Sequence, residues 1–387
     1  MSITHPTRRV ILGAATGLAW AGTARAEEAV SISVVDVAGN LALSQRAFEA
    51  FRKANPGRVS KISFSQAPAP ELPAKIKAQQ AAGRVDIDIV LTGTDGLAAG
   101  IEQKLWTPLF PDQAAHLPDL KAVLLPAAYD MQALAQGQGC VTAYYPSGPL
   151  IEYMPDKVSP VPTTAEELLA WCKAHPKRFV YGRPANSGPG RTFLMGLPYI
   201  LGDSNPKDPE KGWDKTWAFL KELGTTIEYY PSGTGATMKE LGEGSRDMIV
   251  STTGWDINPR ALGTVPKEAR VQALRGFHWV TDAHYVVIPK GIPDAKMAVL
   301  LDLLSFLLTP AAQAFNYDKG YFYPGPAVAN VPLSMAPQES QDIVAEFGRP
   351  EYAALIAGNP VETPLVADKL VYAFRRWDQE VGTVTAK

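Results

Sequence analysis

After residue 26 the chain alternates between two periodicities, and this alternation restricts the fold more than any other feature. "SISVVDV" is a continuous β-branched run, the pattern of a strand buried on both faces. "LALSQRAFEAFRKANPG" follows as an amphipathic helix, with Leu43, Ala47, Phe51 and Ala54 on one face and a Pro-Gly stop. "RVSKISFS" then reads as a strand, "ELPAKIKAQQAAG" as a helix, "VDIDIVLTG" as a strand and "LAAGIEQKL" as a helix. Strands that alternate with helices form parallel sheets covered on both faces. The grammar resumes in "CVTAYY", "TTAEELLAWCKAHPK", "RFVYGRP", "GRTFLMGLPYILG", "KGWDKTWAFLKELG", "TTIEYYP", "TMKELGEG" and "DMIVSTTGW". "GFHWVTDAHYVVIPKG" reads as one long strand, and the remainder is helical apart from the loop "NYDKGYFYPGP".

The first residues follow a different logic. Arg8-Arg9-Val10-Ile11-Leu12, a short apolar run and Ala24-Arg25-Ala26 stand in the order of a secretory signal, with paired arginines of the twin-arginine type. Cleavage is expected after Ala26, and the apolar run falls short of a membrane span of roughly 20 residues. Loss of Arg8, Arg9 and Arg25 moves the net charge from −2 to −5. That acidity, without a Lys/Arg-rich run, argues against nucleic acid as a partner. The remaining chain of about 360 residues is too long for one core and should form two lobes. Cys140 and Cys172 are expected to be free thiols, although an exported protein can also pair them.

In order and spacing, "FEAFRKANPG", "IKAQQAAGRVDIDIVLTG", "GIEQKLWTPL" and "LLSFLLTPAAQAF" resemble one family. It is the bacterial extracellular solute-binding proteins of ABC importers, in the group with spermidine/putrescine, thiamine and ferric-ion binders. The resemblance implies an α/β protein of the two-lobe type II periplasmic-binding fold. Each lobe would be a mixed, mostly parallel sheet flanked by helices, and crossing strands would join the lobes. Lobe one would hold residues 27–141 and 283–325, lobe two 142–282, and residues 326–387 a helical segment packed on both. The crossings would lie near "GQGCVTAYY" and "WVTDAHYVVIP", with hinges at Gly139–Tyr144 and Asp282–Tyr285. The protein would be a periplasmic monomer that binds a small-molecule solute, uses no cofactor and docks on a membrane permease.

Open α/β sheets bind ligands beyond the carboxyl ends of their strands. On that rule Asp36, with Gly39 and Asn40, and Thr94 and Asp95 are candidates, though each also suits a helix cap or turn. Gln138 stands just before the outward crossing. "NSGPGRTF" opens a helix with small residues; Ser187, Gly190, Arg191 and Thr192 there can receive an anionic group, or form a plain glycine-rich turn. Trp255 can stack on a ligand or fill the core, and Asp256 can pair with an amine. Asp282 is a charge inside an apolar strand, costly unless paired. Its position corresponds to the acidic residue with which polyamine-binding relatives hold an ammonium.

Where those relatives carry acids at the second-lobe turn, this chain has Gly188-Pro189-Gly190-Arg191. The expected ligand has a negative end at Arg191 and a neutral or positive end near Trp255 and Asp282. A polyamine or ferric binder of the same fold is the alternative, and an exported hydrolase a further one. No nucleophile elbow, dinucleotide fingerprint or P-loop supports catalysis. His116, His175, His278 and His284 lack metal-ligand spacing. "YYPSG" occurs at 144–148 and 229–233; the first copy is expected to follow the crossing strand and the second to end an internal strand, with Tyr144 and Tyr145 on opposite sheet faces if the strand continues through them.

Overall fold

The computed structural model describes residues 1–2, 29–68 and 71–383. The signal segment and the cleavage point after Ala26 lie outside the described residues. The chain begins as its alternation requires, with β1 (Val30–Asp36), α1 (Leu41–Ala54), β2 (Val59–Gln66), α2 (Leu72–Ala81), β3 (Ile89–Thr92) and α3 (Thr94–Glu102). β1 pairs in parallel with β2 on one side and β3 on the other, so each intervening helix is a crossover. On α1, Leu43, Ala47, Phe48 and Phe51 are buried, one stripe facing the sheet. The helices α4 (Leu120–Val123) and α5 (Pro126–Gln132) lead to β4 (Cys140–Gly148).

From there the chain enters a second sheet. It runs through β5 (Leu150–Tyr153), α6 (Ala165–Ala174), β6 (Phe179–Val180), α7 (Gly188–Ile200), α8 (Asp214–Gly224) and α9 (Thr234–Gly242). β7 (Met248–Ser251), α10 (Thr253–Ala261) and β8 (Arg270–Gln272) complete it, and the strand order is β6-β7-β5-β8. β9 (Trp279–Val287) returns to the first sheet, antiparallel to both β4 and β3. The last elements are α11 (Asp294–Leu307), α12 (Pro310–Gln313), β10 (Gly325–Pro326), α13 (Gln338–Phe347), α14 (Glu351–Gly358), β11 (Val361–Glu362) and α15 (Ala367–Glu380). The first sheet reads β10-β4-β9-β3-β1-β2, with β11 beside β9.

Each sheet has its own core. Ile32, Phe48, Trp106 and Val286 belong to the first; Phe193, Trp217, Leu220 and Trp377 belong to the second. α15 closes the second core with Leu370, Ala373 and Trp377, against Ala98 and Ile101 of α3. The C-terminal segment therefore touches both halves. Cys140 and Cys172 are free and buried.

Three expectations change. The chain passes between sheets at Gly148–Leu150 and Gln272–Trp279. The expected hinge positions fall inside the paired β4–β9 ribbon, because both crossing strands hydrogen-bond to each other within the first sheet. "TTIEYYP" forms no strand: Thr226 and Ile227 donate their N–H groups to Leu223 and Gly224 in the turn after α8. The second "YYPSG" thus sits in irregular backbone, whereas the first is part of β4. β5 and β8, unmarked by the sequence pattern, supply two of the four strands of the second sheet.

Candidate functional site

A strand followed by a helix places the strand's carboxyl end and the helix's start on one edge. In this chain several such edges meet around a cavity of about 180 Å³. Its wall includes Gly39 ahead of α1, Asp95 in the first turn of α3 and Gly188 at the start of α7. Thr234 and Gly235 open α9, and Trp255 lies in the first turn of α10. Five helix starts thus reach the cavity, each carrying N–H groups without helical partners and a partial positive charge.

Beside them lies a buried ion cluster. Arg191 Nη2 donates to Asp282 Oδ2 at 2.5 Å, and Nη1 is 3.1 Å from Asp95 Oδ2. The Tyr145 hydroxyl donates to the same Asp282 oxygen at 3.0 Å, and Ala283 N–H to the other at 2.9 Å. Burial works against the Arg191 charge, but Asp282 and Asp95 outweigh it and raise the pKa. Burial raises that of Asp95, and the Arg191 guanidinium pulls it back. Arg191 Nε and His284 Nδ1 are buried without a partner. Burial above all, with Arg191 nearby, holds His284 neutral by lowering its pKa to about 4, against a smaller opposing effect of Asp282. Aromatic rings complete the wall: Trp255 meets Tyr321 edge-on at 5.1 Å, and Tyr145 meets Phe322 at 4.5 Å.

Of the residues expected from sequence, Gly39, Asp95, Arg191, Trp255 and Asp282 line this cavity. The others are placed around it. Asp36 accepts the N–H groups of Ala38, Asn40 and Leu41 and so holds the start of α1; burial raises its pKa against those bonds. Asn40 and Thr94 are buried behind the wall, with Nδ2 and Oγ1 unpartnered. Ser187 caps α7, its hydroxyl accepting Gly190 N–H at 3.3 Å and lying 2.9 Å from Thr234 Oγ1. A Cβ on Gly190 would stand 2.0 Å from the Gly182 carbonyl, so that glycine serves backbone packing. The Thr192 hydroxyl donates to Pro189 O within the helix. Gln138 is half-buried ahead of β4 and does not line the cavity. Asp256 is outside it too, enclosed by Arg260, Arg349 and Tyr352.

Sequence reasoning missed Tyr145 as a site residue, along with Tyr321 and Phe322. The "NYDKGYFYPGP" loop was an available signal, since its aromatics interrupt an otherwise helical stretch. Tyr144 and Tyr145 do face opposite ways: Tyr144 enters the first core and Tyr145 the cavity. Among the described residues, no group of three or more His, Cys, Asp or Glu side chains can hold a metal ion.

A family model described as bacterial extracellular solute-binding protein matches residues 46–345. The chain belongs to that family. This chain is therefore an extracellular solute-binding protein and not an enzyme. No curated protein matches it. Among solved structures, the periplasmic binding protein AfuA from Actinobacillus pleuropneumoniae, with fructose-6-phosphate bound, is similar at 15% identity and TM-score 0.65. The match covers 91% of this chain and 99% of AfuA. The spermidine/putrescine protein PotD from Streptococcus pneumoniae is 12% identical, with TM-score 0.60 over 90% of this chain and 99% of its own. AgtB from A. tumefaciens R10, in complex with agropinic acid, is 17% identical, with TM-score 0.60 over 91% and 98%. Identities this low establish the shared fold: two α/β lobes of the type II periplasmic-binding kind.

Proposed function

We propose that this solute-binding protein captures a small organic solute with an anionic group, holds it between two lobes and delivers it to a membrane permease. One observation carries the reading: five helix starts converge on the cavity beside the Arg191 guanidinium, although that of α1 is already held by a carboxylate of its own, Asp36. Such starts attract anions, and the unpartnered Arg191 Nε adds a donor. Trp255 and Tyr321 offer flat faces to the rest of the molecule, and Asp282 an acceptor for an amine or hydroxyl. The fructose-6-phosphate and agropinic acid of AfuA and AgtB fit the same chemistry. The protein acts as a monomer, exported by its twin-arginine signal and cleaved after Ala26. Its lobes bend where the chain passes between sheets. Moving such an equilibrium from 1:99 to 99:1 takes about 5.5 kcal/mol of better ligand contact in the closed form.

One observation favours a second reading. Two carboxylates face one guanidinium, and this excess of negative charge suits a cation such as a polyamine. Native mass spectrometry of protein from its own periplasm identifies the retained solute, and calorimetry then decides between the readings. With an anionic solute, Arg191→Ala should cost about 2–5 kcal/mol of affinity. Unchanged affinity in Arg191→Ala with collapse in Asp282→Ala would establish the cationic reading instead.

A further inference from the structure

Arg191 meets its two carboxylates on different terms. Asp282, on β9, is fixed from three directions by Ala283 N–H, the Tyr145 hydroxyl and Arg191 Nη2. Asp95 has less to hold it: Gly96 N–H of its own helical turn, and a charge contact of 3.1 Å to Arg191 Nη1. The two contacts have the same reach, because β9, which carries Asp282, belongs to the first sheet as β3 does. Asp95 stands on α3, which follows a strand of the first sheet, while Arg191 stands on α7, which follows a strand of the second. Both pairings of Arg191 therefore link the second sheet's helix to the first sheet. Gly93 leaves room for the pairing with Asp95, since a Cβ there would come within 3.0 Å of Asp95 Oδ1 and 3.4 Å of Arg191 Nη2.

A guanidinium offers five donors in a planar fork, suited to two-pronged contact with a carboxylate or phosphate. Here Nη2 is committed to Asp282, Nη1 faces Asp95, and Nε is buried without a partner in a side chain only 5% exposed. An incoming anion can take the Nη1 N–H groups if Asp95 moves aside. With Asp95 in place, the same anion meets a like charge across the cavity.

We propose that Asp95 is an internal competitor for Arg191: it occupies the place at Nη1 that the ligand's anionic group takes, and its pairing adds to that of Asp282 in drawing the two lobes together before ligand arrives. This rests on the anionic reading of the site. It makes Asp95 a determinant of both affinity and resting lobe separation. Asp282, by contrast, keeps its partner throughout. An amine on the same solute would give the displaced Asp95 a new partner, so a zwitterion should suffer least from the competition.

Asp95→Asn removes the charge and keeps both the shape and an acceptor for Gly96 N–H. Spin labels at Lys53→Cys and Glu243→Cys, exposed positions in the two halves, report lobe separation; the native thiols are buried. Without ligand, Asp95→Asn should lengthen the inter-label distance, and Asp95→Glu should stay near the parent value. Inorganic phosphate and acetate should each bind Asp95→Asn about tenfold tighter or better than the parent, since a like charge has gone. Unchanged distances, or anion affinity that fails to rise in a variant of parental melting temperature, would overturn the competitor. Longer distances with no anion binding by either protein would overturn the anionic reading and reduce Asp95 to a strut. Should Asp95→Asn fail to fold, Asp95→Ser removes the same charge with a smaller group and is read by the same two measurements.

Discussion

Asp256 and Asp282 are both fully buried aspartates paired with arginine, and sequence reasoning placed both in the ligand site. Their surroundings are opposite. Asp256 Oδ1 accepts from Arg260 Nε at 3.0 Å and Arg349 Nη2 at 2.6 Å. Its Oδ2 accepts from Arg260 Nη2 at 3.2 Å, Arg349 Nε at 2.9 Å and Tyr352 Oη at 2.6 Å. Two guanidiniums therefore enclose one carboxylate whose acceptor capacity is filled. In the cleft, two carboxylates share one guanidinium, and Arg191 Nε and His284 Nδ1 are unpartnered. Asp256 itself is saturated, although the buried Glu152 beside it leaves both its oxygens unpartnered away from the cavity; an unsaturated group facing a cavity has capacity for a ligand. The distinction between the two aspartates lies in their partner count and in whether they face the cavity, not in residue type or burial.

The largest test of this contrast is Asp256→Ala. It leaves two buried guanidiniums without their carboxylate, and breaking a buried pair from one side costs about 3–5 kcal/mol. Denaturant unfolding should show that loss, while calorimetry on the folded fraction should return the parental ligand affinity. A fall in affinity with stability intact would place Asp256 in the site and erase the contrast.

The partition of these two aspartates was beyond the sequence for a definite reason. Arg349 and Tyr352, which saturate Asp256, lie more than 90 residues further along the chain, and no local pattern links them to it. Tyr321 and Phe322 likewise enter the cavity from a distant loop. What was legible depended on local periodicity: β1, α1, β2 and β3 followed the apolar spacing, and Asp282 stood out as a charge in an apolar strand. Periodicity also misled. Ile227 and Tyr230 are buried as strand residues would be, yet turn hydrogen bonds around Thr226 replace a sheet ladder. β8, with three residues, was too short to show a period, and β5 carries the acidic Glu152 in the middle of its apolar run.

The second test uses the one histidine in the unsaturated cluster. His284 has an ordinary value of 6.5 and is lowered to about 4, chiefly because burial disfavours its charged form. The unfolded chain then takes up a proton that the folded protein refuses. The sign follows: its contribution is complete above pH 6.5 and disappears as pH falls from 6.5 through about 4. By pH 5 the loss should reach about 2 kcal/mol. Urea unfolding at pH 7 and pH 5 should show that drop in the parent and a smaller one in His284→Gln. An equal drop in both would mean that another group dominates the acid response.

The smallest effect gives the closest comparison, because each aspartate accepts a tyrosine hydroxyl. Tyr145 donates to Asp282 at 3.0 Å and Tyr352 to Asp256 at 2.6 Å, both fully buried. Replacing either by Phe deletes one oxygen and leaves the ring, which for Tyr145 still packs on Phe322. A hydrogen bond to a charged group contributes about 1.5–3 kcal/mol, and each aspartate retains other donors, so the lower end applies: about 1.5 kcal/mol of stability in each variant. The two should part on ligand binding. Asp256 keeps four bonds from two arginines, so Tyr352→Phe should leave affinity at the parental value. Asp282 keeps Arg191 and Ala283 N–H but loses the donor that fixes its shared oxygen, so Tyr145→Phe should weaken solute binding as well. Calorimetry on the pair decides the matter: equal affinities in the two variants would show that partner count does not separate site from scaffold here.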